Sequence, residues 1–258
     1  MDMTRLGVAN PFSGAPVYYR AETDSTMSDA AGLSRADSPA GTVIVAGHQT
    51  AGRGRFRNRR WESNTGDSLL LTLILDKGVL VHPIGVLPLL AGLGVALFVE
   101  GQSGQECSIK WPNDVLVAGR KISGVLCEGK ADRLFVGLGV NCRQEEFSHF
   151  PKLEATSLRQ IGASRYEPLD LLQDLLQSLK TAFGADDPLE RIQSMLYLRG
   201  RCIEAVTGLP GSERLIRGTL AGLGQDGQLL LEVPESGEMI EVYSGEIRVD
   251  QEFTSSES

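Results

Sequence analysis

The 258-residue sequence has no CxxC pair, and no two histidines lie close enough together to complete a zinc site with its four cysteines, Cys107, Cys127, Cys142 and Cys202. Cysteines this widely spaced read as reduced, mostly buried thiols. With no basic, apolar start resembling a signal peptide, they point to a reducing cytoplasm. Basic charge is not in excess either: the formal net charge is -8 and the pI about 5.0, which argues against general attraction to nucleic acid or anionic membranes. Neither a Walker phosphate loop nor a GxGxxG in a βαβ unit is present. The one long apolar run, VLVHPIGVLPLLAGLGVALFV from Val79 to Val99, is interrupted by Pro83 and Pro88. It therefore reads as a core helix, LLAGLGVALFVE, with Pro88 at its first position and too short to cross a bilayer.

What is present is an ordinary globular composition, 41% hydrophobic and 22% charged, long enough for one main domain and a small second one. Against the acidic balance stands AGHQTAGRGRFRNRRW, with Arg53, Arg55, Arg57, Arg59 and Arg60 inside eight residues. TVIVAGH and SLLLTLIL, rich in β-branched and apolar residues, read as strands on either side, so the loop hangs from a sheet. Glycines let backbone N–H groups come close to an anion, and guanidinium forks grip carboxylate or phosphate at two points. Five like charges repel one another, so the loop is expected to be disordered until an anion neutralises it.

Residues 1 to 16 read as irregular, and ETDSTMSDAAGL offers Asp24 or Ser25 as the N-cap of a short helix. KWPND, Lys110 to Asp114, sets a cation, an indole, a proline, an amide and a carboxylate side by side at a strand end. Its alternative reading has Trp111 and Pro112 filling core while Asn113 and Asp114 stabilise a turn. VLV and KISGVLCE read as strands joined by a turn at Ala118 and Gly119, with LFVGLGVNC pairing beside them. Lys121, followed by Ser123 and Gly124, leaves room for a ligand beside its ammonium, or else is a surface lysine. Leucines at 169, 172, 175, 176 and 179 with Phe183 keep helical spacing, and PLERIQSMLYLR reads as a second helix stopped by Gly200. Beyond Gly200, CIEAV, RLIRGTLAGL, QLLLEV, MIEVY and EIRV read as the strands of a small β-barrel.

The order DSTM, HQTAGRGRFRNRRW, KWPNDVLVAGRKISGVLCE, VGLGVN, ATSL and SGEI resembles the biotin protein ligases, from about Val17 to Val249. The resemblance implies an α+β fold: a mixed sheet with flanking helices over residues 1–200, a small SH3-like β-barrel over 201–250, and a disordered tail at 251–258. It also implies that biotin is activated by ATP as biotinyl-5'-AMP and transferred to a lysine of the biotin carboxyl carrier domain of acetyl-CoA carboxylase, with Mg2+ on the departing pyrophosphate. Ser25, Thr26 and Gln49 would meet the ureido ring, and Gly52, Arg53, Gly54, Arg55, Lys121 and Gly124 the tail carboxylate and α-phosphate. Trp61, Lys110, Asn113, Asp114 and Asn141 would line the ATP end. Lys121 and Arg53 take the catalytic roles, and no residue is assigned as a metal ligand. The sequence departs from the family pattern at Met27, where asparagine is usual, and in the loop, where five residues separate Arg55 from Trp61 and Phe56 and Asn58 interrupt the usual run.

Alternatives are a lipoate or octanoate ligase or transferase on the same fold, a biotin-binding sensor without catalysis, and a DNA-binding repressor. The GRGR loop and SGEI favour biotin, and Lys121 disfavours a mere binder. The position of Ser25 leaves no space for a preceding DNA-binding module, so no nucleic acid partner and no membrane are expected; a homodimer is a possible assembly.

Overall fold

The computed structural model describes residues 3–56, 59–147, 155–208 and 211–248, so Arg57, Asn58 and the tail expected at 251–258 lie outside the described residues. The first 16 residues are not wholly irregular. β1 (Thr4–Leu6) pairs antiparallel with β2 (Val17–Thr23), whose VYYRAET alternates too weakly to be read as a strand from sequence. β2 then runs parallel to β3 (Val43–Gln49), and the short helix α1 (Thr26–Gly32) joins them. β4 (Ser68–Asp76) returns antiparallel, and the arginine loop spans the gap between β3 and β4 as expected.

After β4 comes α2 (Leu87–Ser103), with Pro88 in its first turn as the sequence indicated. α2 is apolar all round because it is covered from two sides. Leu87, Ala91, Val95 and Phe98 pack into the main core beneath the large sheet, while Leu89, Leu90 and Leu93 join a second core shared with the C-terminal strands. With the turn before it, α2 makes a continuous helical stretch Ile84–Ser103 of 20 residues, longer than the sequence indicated and long and apolar enough to span, and that double burial accounts for its apolar character. β5 (Cys107–Lys110), β6 (Asp114–Val117), β7 (Arg120–Lys130) and β8 (Arg133–Asn141) complete an eight-stranded sheet in the order β1-β2-β3-β4-β8-β7-β6-β5. The turn between β6 and β7 takes positive φ at both Ala118 (48°) and Gly119 (76°), as a two-residue hairpin connection requires.

α3 (Leu172–Phe183) buries Leu172, Leu175, Leu176 and Leu179 on one stripe. The second expected helix is shorter than PLERIQSMLYLR: α4 covers Pro188–Ser194 only. Beyond Ser194 the backbone turns to the edge strand instead. Ile109 N–H donates to the Met195 carbonyl (2.8 Å) and Tyr197 N–H to the Ile109 carbonyl (3.0 Å), so an available sheet edge outcompetes helical bonding.

The C-terminal strands β9 (Cys202–Thr207), β10 (Arg214–Leu223), β11 (Leu229–Glu232), β12 (Met239–Val242) and β13 (Glu246–Arg248) form a second, antiparallel sheet in the order β12-β11-β10-β9-β13, consistent with an SH3-like domain. This sheet does not hang loose. Ile203, Ala205, Leu220, Leu229 and Ile247 share one core with Leu89, Leu93, Ile109 and Trp111, and the buried Trp111 indole N–H donates to the Gly227 carbonyl at 2.9 Å.

Candidate active site

One face of the large sheet carries a continuous string of contacts among the residues singled out from sequence. At one end, Ser25 occupies the N-cap position of α1 with extended backbone (φ -164°, ψ 133°), yet its hydroxyl makes no capping bond and is buried with no hydrogen-bond partner among the described residues. Next to it, Gln49 Oε1 accepts from both Thr26 N–H (2.8 Å) and Thr26 Oγ1 (3.1 Å). Thr72 Oγ1 donates to Thr26 Oγ1 at 2.9 Å. Sequence reasoning missed Thr72, although it is the one polar residue inside LLLTLIL, a signal that could have found it. Met27, the departure from the family asparagine, is buried against Gly137 in a small apolar cluster with Ala30, Ile44, Ile74 and Phe135.

The arginine loop is a narrow hairpin. Gly54 N–H donates to the Arg59 carbonyl (3.0 Å), Trp61 N–H to the Gly52 carbonyl (3.1 Å), and Arg53 faces Arg60 in an antiparallel bridge. A side chain at Gly52 would put its Cβ 2.6 Å from the Trp61 carbonyl oxygen, and one at Gly54 2.9 Å from that of Arg59, so the two glycines let the arms close on each other. The expectation of a loop with little local structure thus overlooked its own backbone pairing: the residues on either side of 57 and 58 are hydrogen-bonded.

The hairpin ends in Trp61, whose indole lies on a floor of glycine. A Cβ on Gly139 of β8 would stand 2.5 Å from its Cε2, and one on Gly124 of β7 3.2 Å from its Cζ3. Its N–H is buried and has no partner among the described residues. The Lys121 ammonium sits 5.9 Å from the ring centroid and 2.6 Å from Asp114 Oδ1, an ion pair that is mostly buried on both sides. Lys121 and Asp114 belong to a larger charge cluster. Burial lowers the Lys110 pKa, Asp114 and Glu246 raise it, and Lys121 and Arg59 push it down again. Arg55 is likewise lowered by burial, against the pull of Glu246 and Asp114. Four cations, Arg55, Arg59, Lys110 and Lys121, thus surround two carboxylates, Asp114 and Glu246, which leaves the cluster electropositive and suited to an anion.

Three expected residues are occupied otherwise. Arg53 reaches Glu128 (3.2 Å) in a largely exposed pair outside that cluster. The Asn113 amide donates to the Val125 carbonyl (2.8 Å), which fits the turn-stabilising reading of KWPND. Asn141 is buried and donates to the Thr156 carbonyl (3.0 Å), while its Oδ1 accepts from Gln144 Nε2 (3.3 Å). Thr156 N–H in turn donates to the Lys121 carbonyl (2.9 Å). Asn141 therefore braces the backbone beneath Lys121, and ATSL contributes through Thr156 in a way its sequence did not reveal. Among the described residues no group of three or more His, Cys, Asp or Glu side chains could hold a metal ion.

Comparison with known proteins gives the family of the chain. Residues 19–144 match the model of the biotin/lipoate A/B protein ligase family. The chain is 30% identical over 256 residues to the bifunctional ligase/repressor BirA of Bacillus spizizenii, covering 95% of this chain and 77% of that one. It is 32% identical over 243 residues to the biotin--[acetyl-CoA-carboxylase] ligase of Mycobacterium tuberculosis, covering 88% and 86%. Among solved structures, a biotin protein ligase from Aquifex aeolicus in complex with biotin and ATP superposes with a TM-score of 0.77 at 31% identity, over 90% of this chain and 97% of that one.

Proposed function

Because the chain belongs to the biotin protein ligases of the biotin/lipoate A/B protein ligase family, we propose that it joins biotin to ATP as biotinyl-5'-AMP and passes the biotinyl group to a lysine of the biotin carboxyl carrier domain of acetyl-CoA carboxylase in the cytoplasm. The observation that carries this reading is the string of contacts itself. The unpartnered Ser25 hydroxyl and the hydrogen-bonded Thr26 and Gln49 lead over a glycine floor to the Lys121–Asp114 pair and its cations. A ligand with a polar ring, an apolar tail and a carboxylate has the matching sequence of groups.

In this reading the biotin carboxylate attacks the α-phosphorus of ATP, and pyrophosphate leaves. Two anions must approach, so Lys121 and Arg55 neutralise both and stabilise charge on the non-bridging oxygens. Arg53 joins them by exchanging its exposed Glu128 partner for the ligand, a low-cost exchange between surface groups. Glycines 124 and 139 keep the floor flat, and the Trp61 indole covers the tail or stacks on adenine. In the second half-reaction the carrier's lysine amine attacks the acyl carbon, and the same cations help AMP depart. Asp114, the carboxylate paired with Lys121, is the residue that would hold a magnesium ion bound with the triphosphate, and such an ion would supply charge neutralisation on the leaving pyrophosphate. Residues 1–200 supply the catalytic groups and 201–250 the supporting barrel.

Pyrophosphate exchange with ATP and magnesium, run with biotin or with lipoate, tests the assignment. Strong biotin-dependent exchange with little for lipoate is expected, because lipoate leaves buried polar partners unpaired at about 1–3 kcal/mol each. Equal rates would leave the superfamily and remove the substrate.

A further inference from the structure

The SGEI segment and Phe56 have no part in the chemistry above, yet they meet. β13 is the terminal strand of the C-terminal sheet, and just before it Gly245 takes φ +149°, a conformation in which a Cβ would lie 2.3 Å from the Val206 carbonyl oxygen. Only glycine lets the chain press so closely on β9. The Gly245 carbonyl thereby faces the arginine loop and accepts from Arg55 Nη2. One residue on, the Glu246 carboxylate meets Arg59 Nη2 at 2.8 Å through Oε2 and 3.0 Å through Oε1. Both guanidinium groups also lie over the Phe56 ring, Arg55 4.7 Å and Arg59 5.3 Å from its centroid. Phe56, one of the residues by which the loop departs from the family pattern, thus touches both arginines that meet two successive residues of the barrel.

We propose that Glu246 and Gly245 of the C-terminal sheet, gripping Arg59 and Arg55 beside Phe56, form a clasp that positions the arginine loop over the Lys121 end of the cleft. Glu246 is a positioning residue: it acts through Arg59 and touches no reacting atom. The sheet is a firm reference for the loop because it shares a core with α2 and β5 and is tied by Trp111 to Gly227. Adenylate formation and retention of the adenylate then depend on a part of the chain that contributes no catalytic group. The inference rests on the ligase reading only for its second readout below.

Glu246→Gln, Arg59→Gln, their double variant and Phe56→Ala test it. Without any substrate, trypsin cleavage after Arg55 and Arg60 is expected to rise about three- to tenfold in each single variant, since a partly exposed ion pair and a cation–π contact are modest restraints. The double variant should cleave no faster than the faster of its two parents, because both changes open one clasp. In the exchange assay, KM for MgATP should rise by a similar factor in Glu246→Gln while the dissociation constant for biotin alone stays within twofold. Unchanged cleavage in Glu246→Gln, or effects of the two substitutions that multiply, would overturn the proposal. Because cleavage is read without substrate, failure of the clasp is distinguishable from failure of the biotin assignment. Glutamine has the shape of glutamate, and an unchanged melting temperature shows that the fold is retained.

Discussion

Gly139→Ala puts the reading of the cleft floor to its hardest test. The new Cβ would stand 2.5 Å from Cε2 and 2.8 Å from Cδ2 and Cζ2 of Trp61. Carbon atoms in ordinary contact lie about 3.5–4.0 Å apart, so the indole must retreat by about 1 Å or swing away. A retreat overpacks the space beneath Lys121 and costs about 1–3 kcal/mol. A swing returns about 80 Å² of apolar contact to water, about 2 kcal/mol at ~25 cal/mol/Å². With the indole displaced, a biotinyl-AMP analogue loses its adenine stack, worth about 1–3 kcal/mol, so its binding weakens by roughly 30-fold. Calorimetry measures the affinity, and acrylamide quenching follows the indole directly. The chain has two tryptophans, and Trp111 is only 3% exposed, so a rise in quenching reports Trp61. Gly101→Ala is the control. It lies in α2 with nothing within 4 Å of a new Cβ, and should raise stability by about 0.5–1 kcal/mol through helix propensity without touching the ligand. Unaltered quenching together with unaltered affinity in Gly139→Ala would refute the glycine floor.

Lys121→Met should retain the circular dichroism of the parent and lose about 100- to 1000-fold in single-turnover adenylate formation, the usual worth of one preorganised cationic donor; near-normal turnover would remove Lys121 from the mechanism. Lys110 titrates below 10.5, the ordinary lysine value, chiefly because burial penalises its charged form. Its cation is present at low pH and is lost as pH rises through the lowered pKa, so kcat/KM for ATP should fall on an alkaline limb that Lys110→Arg moves upward; an identical limb in both proteins would clear Lys110 of a role. Burial pushes the Cys107 and Cys142 thiols up to about 12. At pH 8 the thiolate fraction is then about 10⁻⁴, so mass spectrometry after iodoacetamide should find both unmodified in the native protein and alkylated once it is unfolded.

Much of this protein follows from short-range sequence. The strands around the arginine loop, the Pro88 helix, the Ala118–Gly119 hairpin and the five C-terminal strands are local patterns of apolar period and turn chemistry, and the structure has each of them. The order of DSTM, GRGR, KWPND, GLGVN and SGEI was enough to indicate the family, because each motif keeps its residues within a few positions of one another. Local pattern failed where distant backbone competes for the same bonds. α4 stops at Ser194 because β5 offers an edge, and β1 exists because β2 is there to pair with it. The individual roles within the cleft were also decided late. Asn141 carries a family signature, yet its amide serves the Thr156 carbonyl and so braces Lys121 from behind. Arg59 had no readable role among five like charges until the fold brought Glu246 to it across 187 positions of sequence. Side-chain chemistry can be read along the chain, but which of several equivalent cations meets a given carboxylate depends on where the sheets converge, and only tertiary packing sets that.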